Sequence, residues 1–320
     1  MTPDLSVIIV AYNCRDELAR CLESLAADPT APEMFVIDNA SRDATADMVR
    51  GRFPAVTLIA NAENRGFAAA NNQGLARATG RNVLFLNPDT VVHAGALAGL
   101  VKTLDADATI GACGPQLLNA DGSVQPSARM FPSMAALLYQ YTPLRVLPFL
   151  KGAYRRHKLK DFDFRSPRDV DVVMGAAFCV PRRVLDQVTG MDERFFVYLE
   201  EMDLAKRIKD AGYRVRFEPC GRITHIGGVS AATATANLYY CRSLLRYVRK
   251  HNGCAKGLAM DAVLRIGMAM REAILLVANA VAAGLLTIIG QSDRARRRRQ
   301  RLRASARFLG RDMWIALFRP

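Results

Sequence analysis

Apolar residues follow two alternating rhythms over the first hundred positions. LSVIIVA (5–11), MFVIDN (34–39), VTLIA (56–60) and NVLFLN (82–87) are short, nearly unbroken apolar runs rich in β-branched residues. That is the pattern of strands buried on both faces of a sheet. Between them the spacing turns helical. Leu18, Cys21, Leu22 and Leu25 share one face of 15–27, SRDATADMVRG (41–51) opens on a serine cap and closes on glycine, and RGFAAANNQGLARATG (65–80) ends in a glycine stop. Strand and helix alternate four times with short links, which predicts an α/β fold with a parallel, right-handed, doubly wound sheet.

Beyond about residue 108 the rhythm changes. IGACGP and DVVMGAAFCV read as strands separated by a long Pro- and Arg-containing stretch, 119–168. A helix follows at about 200–211, then two strands, YRVRFEP and RITHI. A nucleotide-type first half therefore joins an irregular second half that shapes a second substrate site.

The fourth strand closes on FLNPDT (85–90). Proline removes a backbone donor and restricts its predecessor, so the strand stops near Asn87. Asp89 then lies just past a strand's carboxyl end, where open α/β sheets bind ligands. It could cap a helix running through 91–104, or hold something charged. A dinucleotide-binding dehydrogenase would need G-x-G-x-x-G after strand one, where this chain has AYNCRDE with no glycine. A nucleotidyltransferase meets the same objection.

Charge changes the picture at the other end. The net charge is +14, and the last 70 residues hold 13 Lys and Arg against 4 Asp and Glu, so +9 of it sits there. The tail must meet something acidic. Residues 273–290 carry no charge for 18 positions, long enough to suggest a membrane span. Asp261, Arg265, Glu272 and Asn279 fall within about 40° on a helical wheel and make one polar stripe. The expectation is an in-plane or shallow re-entrant helix, with the arginines of RARRRRQRLR on anionic headgroups. SARFLGRDMWIALF (305–318) repeats the theme with Trp314; a helical hairpin packed on protein is the alternative. A nucleic-acid-binding protein is disfavoured, because the other 250 residues carry only +5 and no recognisable binding motif.

The seven cysteines (14, 21, 113, 179, 220, 241, 254) form no CxxC pair and no zinc spacing. The chain enters its first strand after four residues with no basic leader. Reduced thiols in a cytoplasmic protein are expected.

Five stretches, taken in order, resemble the family 2 glycosyltransferases, inverting enzymes with a GT-A fold. They are SVIIVAYNCRDELARCLESL (6–25), VIDNASRDAT (36–45), NRGFAAANNQG (64–74), FLNPDT (85–90) and GAAFCVPRRVLDQVTGMDERFFVYLEEMDLAKRIKDAGYRV (175–215). The NPD form together with QPSARMFPS (125–133) most resembles the rhamnosyltransferase branch, which acts in bacterial envelope polysaccharide assembly, often on lipid-linked acceptors. The resemblance implies a GT-A domain over 1–250, with a nucleotide-sugar half at 1–107 and an acceptor half at 108–250. The basic helical tail at 251–320 would associate with the membrane.

It also implies roles. Asp89 would hold Mg²⁺ or Mn²⁺ on a departing nucleoside diphosphate, and His225 would complete that metal site beside Gly227 and Gly228. The family's usual Asp-x-Asp is here Asn87-x-Asp89, leaving Asn87 a neutral contributor beside the sugar. Asp38 would read the base or ribose, with Tyr12, Asn39, Arg65, Gly66 and Asn71 around the nucleotide and Asn72 near them. Gly175 and Ala176 would make room for the sugar, and Arg129 and Asp203 would serve sugar or acceptor.

The base is expected in LEEMDLAKR (199–207). On a helix Asp203 meets Lys206 and Arg207, and Glu200 shares that face. Glu201 points nearly opposite, and its i+3 and i+4 neighbours are Leu204 and Ala205. The family's Glu-Asp pair puts the base at Glu201, with Glu200 as fallback. Arg242 and the basic run 249–251 read as helix surface, and KGAYRRHKLK (151–160) as a basic loop near acceptor or membrane. The expected partners are a nucleoside-diphosphate sugar, a glycan or lipid-linked acceptor and an anionic membrane surface, on the cytoplasmic face and without nucleic acid. A catalytically degenerate sugar-nucleotide binder is the alternative.

Overall fold

A computed structural model of the chain describes residues 3–227, 234–289, 291–307 and 309–310. Trp314 and Gly228 lie outside the described residues. Two compact units divide the chain: residues 1–131 with 161–228, and residues 132–160 with 229–320. They do not part at residue 250, because the segment around 132–160 clusters with the C-terminal helices.

The first unit opens as the apolar runs predict. Strands β1 (Leu5–Ala11), β2 (Glu33–Asp38), β3 (Thr57–Ala60) and β4 (Asn82–Leu86) alternate with helices α1 (Arg15–Ala26), α2 (Thr45–Arg52) and α3 (Phe67–Leu75). β1 pairs in parallel with β2 on one side and β4 on the other, and β3 pairs in parallel with β2 at the edge. All residues of β1 and β4 are buried, whereas the ends of β3 are exposed, as suits an edge strand. Helix α1 buries Leu18, Cys21, Leu22 and Leu25 against this sheet.

Helix ends differ from the expected ones. Ser41 does not cap α2; the helix starts after Ala44, and the Ser41 hydroxyl accepts the Asn13 N–H at 2.9 Å. Gly80 does not stop α3, which ends at Leu75. A Cβ at Gly80 would come within 2.6 Å of the Ser6 backbone nitrogen, so the glycine serves a close approach to β1.

The larger departure follows Asp89. The expected helix over 91–104 is instead a short strand, β5 (Thr90–Val92), and then α4 (Ala96–Ala106). Next come β6 (Ile110–Leu118), β7 (Val124–Gln125) and β8 (Ala128–Arg129). After the residues of the second unit, the first resumes with β9 (Arg168–Val170), β10 (Val172–Val173), β11 (Ala177–Pro181), α7 (Arg182–Val188), α8 (Glu200–Asp210) and β12 (Arg214–His225). The two strands expected over 213–226 are this one strand, whose pairing with β6 shifts register between Glu218 and Arg222. Among the described residues the main sheet runs β3-β2-β1-β4-β11-β6-β12-β5, with β7 on β6 and β9 on β12. β11 is antiparallel to β4, and β5 is antiparallel to β12, with Thr90 opposite His225.

The second unit is helical. It holds α5 (Met134–Tyr141), a 3₁₀ turn (Pro143–Val146), α6 (Pro148–His157), α9 (Ala234–His251), α10 (Cys254–Ile288) and α11 (Ser292–Arg307). Most of the expected basic loop at 151–160 is thus the body of α6. Ser133 caps α5 by accepting the Ala136 N–H at 3.3 Å, and the Tyr141 hydroxyl donates to that of Tyr240 at 2.8 Å.

Helix α10 is 35 residues long and is apolar enough to cross a membrane by length and composition. Its polar stripe faces protein. Asp261 is buried between Arg249 (2.8 Å) and Arg265 (2.7 Å), Asn279 accepts from Arg298 at 3.1 Å, and Glu272 accepts from the Ser305 hydroxyl at 3.0 Å. A buried carboxylate must be paired, so these bonds dictate which face turns inward. The apolar face, including Ile266, Ile274, Val277, Val281 and Leu285, is exposed.

Candidate active site

The carboxyl ends of β1, β2 and β4 reach the same edge of the sheet, since Ala11 pairs with Asp38 and Ile9 with Leu86. The chain order reverses at β1, where open α/β sheets bind ligands. Tyr12 leaves β1 half exposed, offering an aromatic face. Asp38 closes β2, buried, and one of its oxygens accepts the Ser41 N–H at 3.3 Å in an Asx turn.

Several neighbours have structural work instead. The Asn39 amide is committed to the loop beyond β3: its oxygen accepts from Arg65 N and Asn61 Nδ2, and its nitrogen donates to Asn64 Oδ1 and Gly66 O. Gly66 has φ +87°, and a Cβ there would come within 2.7 Å of the Phe196 carbonyl oxygen, so it permits a backbone crossing. Arg65 is exposed on that loop. Asn71 is buried and donates to Phe67 O within its own helix, while Asn72 ties α3 to Met191 and Glu193. Asp203 is fully buried in an ion pair with Arg207 at 2.8 Å, and Arg207 also bonds the Gly190 carbonyl, so the structure gives Asp203 a framework role.

Asp89 lies three residues past β4 and immediately before β5, so it caps no helix. The antiparallel pairing of β5 with β12 lays His225 beside it, with Nε2 3.5 Å from Asp89 Oδ1. On the other side of the ring, Nδ1 lies 2.8 Å from Gln125 Oε1. Burial would raise the Asp89 carboxyl, but the His225 ring and the amides of Asp89 and Gly227 outweigh it and hold it below the usual carboxylate value. Among the described residues no group of three or more His, Cys, Asp or Glu could hold a metal. Two ligands nonetheless fit a Mg²⁺-like ion, which takes one or two carboxylates and completes its shell with phosphate and water oxygens.

Glu201 belongs to the same neighbourhood. The Asn87 N–H donates to Ala176 O at 3.0 Å, and a Cβ on the adjoining Gly175 would sit 3.4 Å from Glu201 Cβ and Cγ. Thus the segment 175–176 links the strand end that carries Asp89 to the base of α8. Tyr198 (φ +71°) and Leu199 (φ +67°) turn the chain sharply into that helix. Two successive bulky residues in the left-handed region are a costly turn, the kind found where side-chain placement matters. Sequence reasoning missed this turn and Gln125, although Gln125 opens the quoted QPSARMFPS.

Burial raises the Glu201 carboxyl above its ordinary 4.5, partly offset by the Arg129 charge and by backbone amides. Glu200 is raised further by burial and by the neighbouring Glu201, and its Oε2 is buried without a partner among the described residues. The pair is therefore one strongly raised, neutral-leaning acid beside one raised less.

Comparison with known proteins agrees with this geometry. The description "Glycosyl transferase family 2" matches residues 6–163. An N-acetylglucosaminyl-diphospho-decaprenol L-rhamnosyltransferase of Mycobacterium tuberculosis is 32% identical over 242 residues, covering 70% of this chain and 76% of that protein. The chain belongs to glycosyltransferase family 2. A succinoglycan biosynthesis protein, ExoO of Rhizobium meliloti, is 36% identical over 132 residues, 40% of this chain and 37% of its own. A mannosyltransferase from Pyrobaculum calidifontis, solved with GDP-Man and Mn²⁺, superposes with a TM-score of 0.57 at 21% identity, covering 98% of this chain and 88% of that one. GalNAc-T7, solved with UDP, GalNAc and Mn²⁺, does so at 0.56 and 19%, covering 77% and 47%. The fold of this family 2 enzyme is GT-A, and its sequence is similar to the rhamnosyltransferase branch.

The raised Glu200 value has a consequence for stability. A carboxyl whose folded-state value lies above its unfolded 4.5 stabilises the fold at low pH and loses that contribution as pH rises through the folded value. Glu200→Gln should abolish that loss, so its melting temperature at pH 8 should equal or exceed wild type, while at pH 4 the two coincide. Melting curves between pH 4 and 9 check this; a variant less stable than wild type at pH 8 would mean that Glu200 is ionised and paired.

Proposed function

We propose that this glycosyltransferase inverts the donor's anomeric centre and moves a sugar, rhamnose by its likeness to the rhamnosyltransferase, from a nucleoside diphosphate to a polyprenyl-diphosphate-linked or envelope-glycan acceptor. The observation that carries the reading is the meeting of Asp89 and His225 at 3.5 Å on the sheet edge that also holds Asp38. Asp38 seats the nucleoside, with Tyr12 against the base. Asp89 and His225 hold Mg²⁺ or Mn²⁺, and Arg129 faces the acceptor beside Glu201. Bound there, the ion would neutralise the departing diphosphate. Glu201 takes the proton of the acceptor hydroxyl as that oxygen bonds the anomeric carbon and the carbon–diphosphate bond breaks on the opposite face. The decaprenol-linked acceptor of the M. tuberculosis relative supports a lipid-linked acceptor here.

We further propose a catalytic domain that works at the cytoplasmic membrane surface. The exposed apolar face of α10 would enter the interface, with the exposed arginines of α11 beside anionic headgroups. This keeps the in-plane arrangement with the arginine run at the headgroups, while the polar stripe is satisfied by protein.

Three measurements test these proposals. In calorimetry with dTDP, UDP and GDP, one nucleotide should bind in a Mn²⁺-dependent manner and lose that dependence in Asp89→Ala; binding indifferent to both would remove the donor site from this edge. A preference for dTDP would support rhamnose.

Glu201→Gln should retain nucleotide binding and lose about 10²–10⁴-fold in turnover. In wild type the base works only when ionised, so kcat/KM should rise with pH through a value above 4.5. An unimpaired Gln variant would rule out Glu201 as base.

Co-sedimentation should show the protein on vesicles containing phosphatidylglycerol, less so at high salt, and Val277→Asp with Val281→Asp should release it. If those substitutions instead dissolve a dimer in lipid-free solution, the face belongs to a second copy of the chain.

A further inference from the structure

We infer that Gln125 is a positioning residue: it fixes the ring tautomer of His225 so that the Nε2 lone pair is turned toward Asp89. The inference rests on the cation-site reading of Asp89 and His225 but concerns a residue outside it.

The direction of each hydrogen bond in the β6–β7 hairpin is dictated from its far end. Asp121 Oδ1 accepts both the N–H and the hydroxyl of Ser123, at 2.9 and 2.6 Å. With its proton spent, Ser123 Oγ accepts from Asn119 Nδ2 at 2.9 Å. That leaves Asn119 Oδ1 to accept from Gln125 Nε2, also at 2.9 Å. The same Gln125 nitrogen points at the His225 carbonyl oxygen, 3.4 Å away. Flipping the amide would set its oxygen against that carbonyl and against Asn119 Oδ1, both acceptors. Gln125 Oε1 is therefore what faces the ring, and an amide oxygen can only accept. At 2.8 Å, Nδ1 must carry the hydrogen.

In the neutral ring the other nitrogen, Nε2, is then an acceptor. It stands 3.5 Å from Asp89 Oδ1, which is an acceptor too. Two acceptors facing each other repel unless a positive charge, either a second proton on the ring at Nε2 or a bound cation, sits with them, and it is with such a charge that the ring lowers Asp89. Without Gln125 the ring could take the opposite tautomer, donate from Nε2 to the carboxylate and close the gap as an ordinary hydrogen bond. The hairpin thus keeps the pair poised for a cation. Its own place is secured by the sheet: Gln125 pairs with Leu117 on β6, and Leu117 pairs with Ile223 on β12, two residues before His225. Neighbouring groups that orient a metal-bound histidine commonly govern affinity by about 10–100-fold.

The test uses the full chain without added metal, labelled with ¹⁵N-histidine; the sequence has four histidines, and His225→Asn assigns the signal. Wild-type His225 should show the Nδ1–H tautomer. Gln125→Leu should shift it to Nε2–H and weaken Mn²⁺-dependent binding of the tightest of dTDP, UDP and GDP by about 10–100-fold, leaving metal-free nucleotide binding and melting temperature unchanged. Gln125→Glu keeps an acceptor on Nδ1–H and should keep the Nδ1–H tautomer, although its second oxygen gives up the bonds to Asn119 Oδ1 and the His225 carbonyl. A wild-type ring in the Nε2–H form overturns the inference, as does a Leu variant with unaltered tautomer. If Gln125→Leu fails to fold, the wild-type tautomer and the Glu variant decide. A tautomer that follows Gln125 in a protein whose nucleotide binding ignores Mn²⁺ supports the positioning role and overturns only the cation reading.

Discussion

The three residues of β5 hold the site together. Thr90–Val92 pair with the last residues of β12, and Thr90 is buried, donating its hydroxyl to Asn87 O at 2.7 Å. Because β5 begins one residue after Asp89, that pairing leaves the carboxylate no freedom to drift. The strand's side-chain period is two, so a slip of one residue would send His225 to the other face of the sheet. The approach of Asp89 and His225 is thus a matter of register between segments about 135 residues apart in the chain.

A second constraint acts on the acids. Glu200 and Glu201 are neighbours in the first turn of α8, where a helix favours negative charge, yet burial and mutual repulsion disfavour two charges at once. The compromise is unequal. Glu200 is the more buried and has an unpartnered oxygen, while Glu201 feels Arg129 and the open space beside Gly175. One sequence dipeptide thereby yields two carboxyls with unequal tendencies to ionise.

The alternation of β1 to β4 with α1 to α3 was legible because each element is decided by its own pattern of burial. So was Asp89, since Asn-Pro ends a strand on local grounds alone. The strand at β5 was not. Thr-Val-Val has β-branched residues suited to a strand, but three residues cannot outweigh the helical spacing that follows, and what makes them a strand is β12. Asn39 misled differently: a polar residue at a strand end looks like a ligand contact, and only the folded loop shows that Asn61, Asn64, Arg65 and Gly66 consume its amide. In α10 the periodicity gave the polar stripe correctly but could not say which side would be covered. Arg249, Arg298 and Ser305 supply that answer, and they come from two other helices.

The same limit explains why Glu201 and Gly175 had to be read together. A glutamate where the family favours aspartate is one methylene longer, which would push its carboxylate further into the site. Gly175 stands alongside the Cβ, Cγ and Cδ of Glu201, at 3.4, 3.4 and 3.7 Å from where its own Cβ would be. A Cβ at 175 would rest in ordinary van der Waals contact along that stem. With glycine there, the stem of the longer acid passes segment 175–176 with no side chain against it. The two residues, 26 apart in the chain, are thus neighbours in the fold, and it is the fold that sets them side by side.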